Sequence, residues 1–152
     1  MMADAPLPPD RKQELRRDRR FHVDDAVTLV YRQGLLATLG IGRTNEARSA
    51  VNLSEGGILI RSQDRVRSGT GVNVRLEIEK FKDVIEAAGV IRWCFQSAGD
   101  PTDFFAGIRF TRIPGSALFT IARLRGYFMS PEYRSRRAAR LRRDSFGLGL
   151  VS

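Results

Sequence analysis

The segment VNVRLEIE, residues 72–79, alternates without interruption. Val72, Val74, Leu76 and Ile78 occupy the even positions; Asn73, Arg75, Glu77 and Glu79 occupy the odd ones. Successive side chains of an extended strand point to opposite faces, so this order yields one apolar face and one polar face. At helical spacing the same residues would scatter around the axis. The segment is read as a half-buried antiparallel strand, and such a strand needs partners to be stable.

The rest of the chain supplies them. AVTLVYR (26–32) and LLATLGI (35–41) flank Gly34 and read as two strands, or as one bent at that glycine. RSAVNLS and GILIRS follow as two strands around the turn SEGG. FKD makes the next turn, and VIEAAGVIRWCF continues as a long strand with Gly89 at a bend or bulge. SAGDPTD is a loop and FFAGIRFT the last strand. After IPGS the period changes. Ser116 is placed to cap a helix through its hydroxyl, and Leu118, Ile121, Ala122, Leu124 and Phe128 recur at roughly helical spacing up to Met129, before Pro131. Short strands followed by one helix predict a mainly β fold: a small antiparallel barrel, closed so that no edge is free, with a C-terminal α-helix.

With 152 residues, 42% of them hydrophobic, the chain is long enough for one cored domain with tails. The expected organisation is a disordered leader over 1–11, a domain over 12–130 (arm 12–23, barrel 24–112, helix 115–130) and a basic tail over 131–152. The leader is Pro-rich and acidic, with no apolar run resembling a signal peptide, and GLLATLGIG is too short to span a bilayer. The expectation is a cytoplasmic protein with no transmembrane segment. The lone Cys94 allows no intrachain disulfide.

The formal net charge is +9, and it is concentrated at two places. Residues 11–20 hold six basic and two acidic side chains, and residues 134–143 hold six arginines and no acid, which leaves the middle near neutral. That distribution argues against a barrel-wide nucleic-acid surface. Only Lys12, Lys80 and Lys82 among the 26 basic residues are lysine. Arginine offers planar bidentate donors to phosphate and can stack on a base, although arginine-rich codon usage would produce the same bias.

Catalytic parts are missing. One cysteine and one histidine cannot build a zinc site, and there is neither a GxxxxGK[ST] nor a GxGxxG loop. His22 has no triad context and reads as a surface or satisfied histidine. Asp24 and Asp25 are adjacent, so on a strand they face apart and do not form an acid/base pair. Ser54 reads as a turn serine. The chain is expected to bind rather than catalyse, with no metal and no cofactor.

Two motifs remain. One is Arg16-x-x-x-Arg20, with Arg17 and Arg19 between; the other is Asn52-x-Ser54-x-x-Gly57 in NLSEGG. In order and spacing they resemble the PilZ domain, a bacterial receptor for cyclic di-GMP. That family pairs RxxxR before its first strand with [DN]xSxxG between later strands. The resemblance extends over about residues 12–112, through a strand carrying Trp93 and then AGIRF with Gly107 and Phe110, and on to the helix. It implies a six-stranded barrel, a cyclic di-GMP site and a role as a signalling adaptor with a downstream protein partner.

The resemblance also implies residue roles. Arg16 and Arg20 would donate to phosphate, or to guanine O6 and N7, and could stack on the bases. Asn52, where Asp is commoner in the family, would face a guanine edge less completely than Asp does. The Ser54 hydroxyl would bond a base or phosphate. Gly57 would allow close backbone approach or a positive φ, and Gly56 and Arg17 are secondary candidates. Trp93 has two readings, an aromatic beside a guanine or a core tryptophan; Gly107 and Phe110 read as barrel geometry and core. Leu15, directly before RxxxR, leans towards one ligand per site.

The tail RSRRAARLRR places Arg136, Arg140 and Arg143 at i, i+4 and i+7. It reads as a solvated or frayed segment, or as a basic helix face for RNA, DNA, anionic lipid or an acidic protein, and it lacks an apolar stripe of membrane-anchor size. A nucleic-acid binder using this tail, or a ligand-free PilZ-like scaffold, are the alternative functions.

Overall fold

A computed structural model describes residues 20–23, 26–34 and 44–149, with side chains up to 144. Seven strands precede two helices: β1 (Phe21–His22), β2 (Ala26–Arg32), β3 (Ala47–Leu53), β4 (Gly57–Ser62), β5 (Gly71–Ile78), β6 (Asp83–Gln96), β7 (Phe104–Arg112), α1 (Gly115–Phe128) and α2 (Pro131–Gly149). The alternating segment is β5, and Val72, Val74, Leu76 and Ile78 are buried as the pattern requires. Each such side chain contributes about 1.5–3 kcal/mol by leaving water.

The strands form one antiparallel sheet in the order β1-β3-β4-β7-β6-β5-β2. The sheet curls and has seven strands where six were expected; among the described residues no strand ladder closes it. The seventh strand, β1, is only two residues long and pairs Phe21 with Leu53 and His22 with Asn52. Side-chain and main-chain bonds bridge the gap between β2 and the approach to β3. Asn45 Oδ1 accepts from Val30 N (2.8 Å) and Ala47 N (3.1 Å), Asn45 Nδ2 donates to Thr28 O (3.1 Å), and Glu46 N donates to Val30 O (2.8 Å). LLATLGI, Asp24 and Asp25 lie outside the described residues.

Between β5 and β6 the FKD turn is tightened by a 3-10 turn at Glu79–Phe81 and by Lys82 at φ 53°. Gly89 sits at a shift in the β6–β7 register, as its bend predicted, and a second shift lies between Ile91 and Trp93. A Cβ on Gly89 would stand 2.7 Å from Arg109 O, so the close pairing there needs glycine.

Helix α1 starts two residues earlier than the capping argument placed it. Pro114 is the N-cap, in extended conformation, and no side chain caps the end. Ser116 lies inside the first turn, and its carbonyl accepts from the Thr120 hydroxyl at 3.0 Å. Ala117, Ile121, Leu124 and Phe128 are buried at i, i+4, i+7 and i+11, which is one helix face, laid against β6 and β1. Phe128 stacks on Phe21 with ring centroids 6.0 Å apart. Pro131 is the first residue of α2, where its missing N–H costs nothing. Residues 131–149 are thus helical, which resolves the choice between helix and loose tail.

Candidate functional site

The turn between β3 and β4 is built by its own sequence. Ser54 is buried, its backbone N donates to Gly57 O at 2.9 Å, and its hydroxyl lies 3.4 Å from the same carbonyl. The serine is a turn residue, as its context predicted. Gly56 O accepts from Phe110 N at 2.9 Å, which ties the turn to β7. Gly57 has ordinary backbone angles; its requirement is space. A Cβ there would stand 2.2 Å from Ile108 O, so the close approach it permits is to β7.

Beside this turn opens a cleft of about 590 Å³. The pairing Phe21↔Leu53 sets the preceding Arg20 next to Ser54, and Arg20, Ser54, Gly56 and Gly57 line one part of the cleft. β6 and β7 line the rest with Arg92, Trp93, Gly107, Ile108, Arg109 and Phe110. Trp93 pairs with Gly107 across the two strands, and a Cβ on Gly107 would be 2.4 Å from Trp93 Cε2. The indole therefore lies over the glycine rather than in the core, and it is 36% exposed. It stacks on Phe95, with centroids 5.0 Å apart and planes 15° from parallel.

Of the residues singled out in the sequence, Arg20, Ser54, Gly56, Gly57 and Trp93 share this cleft. Gly107 and Phe110 share it too, beyond the structural roles expected of them. Asn52 does not line it. Asn52 sits opposite His22 on β1 and Leu59 on β4, with a buried Oδ1 that has no partner among the described residues. Arg16, Arg17 and Leu15 lie outside the described residues. His22 is exposed, with Nδ1 3.2 Å from Val51 O, in keeping with a satisfied surface histidine.

Arg92 and Arg109 were not anticipated. Both are exposed, and neither has a carboxylate partner among the described residues. A signal was present: Ile91-Arg92-Trp93 and Ile108-Arg109-Phe110 repeat the order of core residue, arginine and aromatic on two neighbouring strands. Glu55, on the same turn, reaches the other way and pairs with Arg125 of α1, whose guanidinium lies 5.9 Å from the Phe21 ring centre. No group of three or more metal-ligating side chains occurs among the described residues. Nor is any described helix long and apolar enough to cross a membrane.

A curled antiparallel sheet, a C-terminal helix and a cleft with three arginines and an indole define a small β-domain with a cationic pocket at its [DN]xSxxG turn. The family model for the PilZ domain matches residues 14–128, most of the chain, and the protein belongs to that family. Members of that family are binding and adaptor proteins. Among solved structures the chain is similar to the inhibitor of motility MotI/DgrA of Bacillus subtilis, at 21% identity and a TM-score of 0.52. The match covers 76% of this chain and 49% of that one, so this chain spans about half the length of that protein. The likeness carries the fold. No curated protein matches the chain.

Proposed function

We propose that the protein is a cytoplasmic cyclic di-GMP receptor that acts as an adaptor in bacterial second-messenger signalling. The observation that carries this reading is the cleft itself, which Arg20, Arg92 and Arg109 line together with the partly exposed Trp93 beside the Ser54–Gly57 turn. Cyclic di-GMP presents two phosphates and two guanines. Guanidinium groups donate in pairs to phosphate, or to guanine O6 and N7, and an indole face stacks on a purine. Arg16 and Arg20 belong to the arm that closes over the ligand, with Arg17 as a helper. Asn52 does not line the cleft; its Oδ1, buried and without a partner among the described residues, is an acceptor that would have to turn outward to meet a guanine N–H. Closing of the arm over the ligand would present a new surface to a downstream protein.

Titration calorimetry of the folded chain tests the reading, with GMP and cyclic AMP as controls. Binding of cyclic di-GMP that disappears in Arg20→Ala is the expected result. A null titration of the folded wild type would overturn it in favour of a ligand-free scaffold, whose protein contacts ignore the nucleotide.

A further inference from the structure

A second cleft, of about 510 Å³, lies at the C-terminal end of α1, between the 3-10 turn and the two helices. It shares no lining residue with the first. Half-buried aromatic rings from three elements meet there. Phe81 meets Tyr127 edge-on with centroids 4.8 Å apart, and Tyr133 packs on both Tyr127 (5.2 Å) and Phe128 (5.0 Å). Around the rings stand Lys80, Arg136, Arg137, Arg140 and Arg143, with one carboxylate, Asp144. The Lys80 ammonium lies 4.9 Å from the Tyr127 ring centre. The α2 residues of this wall are 133, 136, 137, 139, 140, 143 and 144, one face of a helix. Charge that the sequence displays as a run is thus gathered by the helix onto an aromatic surface.

We infer that this cleft binds single-stranded nucleic acid, taking a base against Tyr133 and Tyr127 and the flanking phosphates on the α2 arginines. Cations alone would serve any polyanion. Rings interleaved with guanidiniums select a chain that alternates planar bases with phosphates. A duplex keeps its bases stacked inside and cannot offer them to a cleft of this size. An anionic membrane fits poorly, because Leu141 is the one large apolar side chain exposed on the described part of α2, which leaves no stripe to insert.

Fluorescence anisotropy of labelled oligouridylate and oligothymidylate, titrated with the full chain across a salt series, tests the inference. Five engaged cations give a log–log salt slope of about −3.5. Arg136→Ala with Arg140→Ala, both exposed, should reduce the slope by about 1.4. Tyr133→Leu keeps an apolar side chain but removes the ring, and should weaken binding about tenfold at every salt concentration. If that variant folds poorly, the arginine pair carries the test. Absence of binding at low salt overturns the inference, as does a duplex of equal length binding more tightly. Wild-type affinity in folded Tyr133→Leu overturns it in favour of charge alone. Phosphatidylserine vesicles or polyglutamate binding more tightly than the oligonucleotides overturns it in favour of a lipid surface or an acidic protein.

Discussion

The indole of Trp93 occupies the space above Gly107 that any larger residue's Cβ would take, 2.4 Å from Cε2. A side chain on β7 is thereby traded for an exposed aromatic face on β6. Gly107→Ala should push the indole off its seat. Tryptophan fluorescence should shift to the red, and the cyclic di-GMP affinity expected under our proposal should fall about tenfold, one stacked base being worth 1–3 kcal/mol. An unchanged emission spectrum would count against the glycine's role.

The ion pair Glu55–Arg125 joins the Ser54–Gly57 turn to α1, with both side chains about three-quarters buried. Arg125→Ala removes a partly desolvated partner and the cation over Phe21. It should lower stability by about 1 kcal/mol in urea unfolding, discounted for the water that still reaches the pair. Glu55→Gln should cost less, because it keeps an acceptor for the guanidinium.

Gly57→Ala meets main chain rather than a flexible side chain, at 2.2 Å from Ile108 O. The β4–β7 pairing must open locally, and the unfolding midpoint should fall by the equivalent of about 1–3 kcal/mol. Loss of ligand binding in this variant would follow from the fold, so the midpoint is the measurement that assigns the cause.

Asp100 organises the loop between β6 and β7. Its carboxylate accepts from Thr102 N at 2.8 Å and from the Thr102 hydroxyl at 2.7 Å, and the backbone bond first, then the hydroxyl bond, hold its pKa below the ordinary carboxylate value. A lowered folded pKa gives stability that is present above the unfolded pKa and is lost as pH falls through the folded one. Acidification below the usual carboxylate range should therefore loosen residues 97–103. Amide protection there, relative to the intrinsic exchange rate at each pH, should fall in wild type and show a weaker acid dependence in Asp100→Asn.

Strands whose pattern is local were legible in the sequence. β5 follows from its alternation, and β4, β6 and β7 from apolar runs between turn residues. β1 was not, because two residues carry no period and its existence depends on β3. Arg20, Ser54, Gly56 and Gly57 became candidates through the resemblance to the PilZ motifs, and they line one cleft. Arg92 and Arg109 join them only because the β6–β7 register brings their strands side by side, which composition does not display. The Ser116 cap failed because Pro114 already fixes the extended residue that begins the helix. Trp93 could not be assigned to core or surface without knowing that its cross-strand partner is glycine.

Asn45 gives the fold a property of its own. An outer strand normally offers unmet amides and carbonyls on which another molecule's strand can grow. On β2 the outward-facing groups of Thr28 and Val30 are already held by the side chain of Asn45 and the backbone of Glu46. One amide thus does for this rim what further hydrogen-bonded pairing would do in a sealed barrel. It occupies the template that would otherwise recruit a neighbour into an aggregate, and resistance to such cross-molecule growth rests on a side chain that substitution can remove.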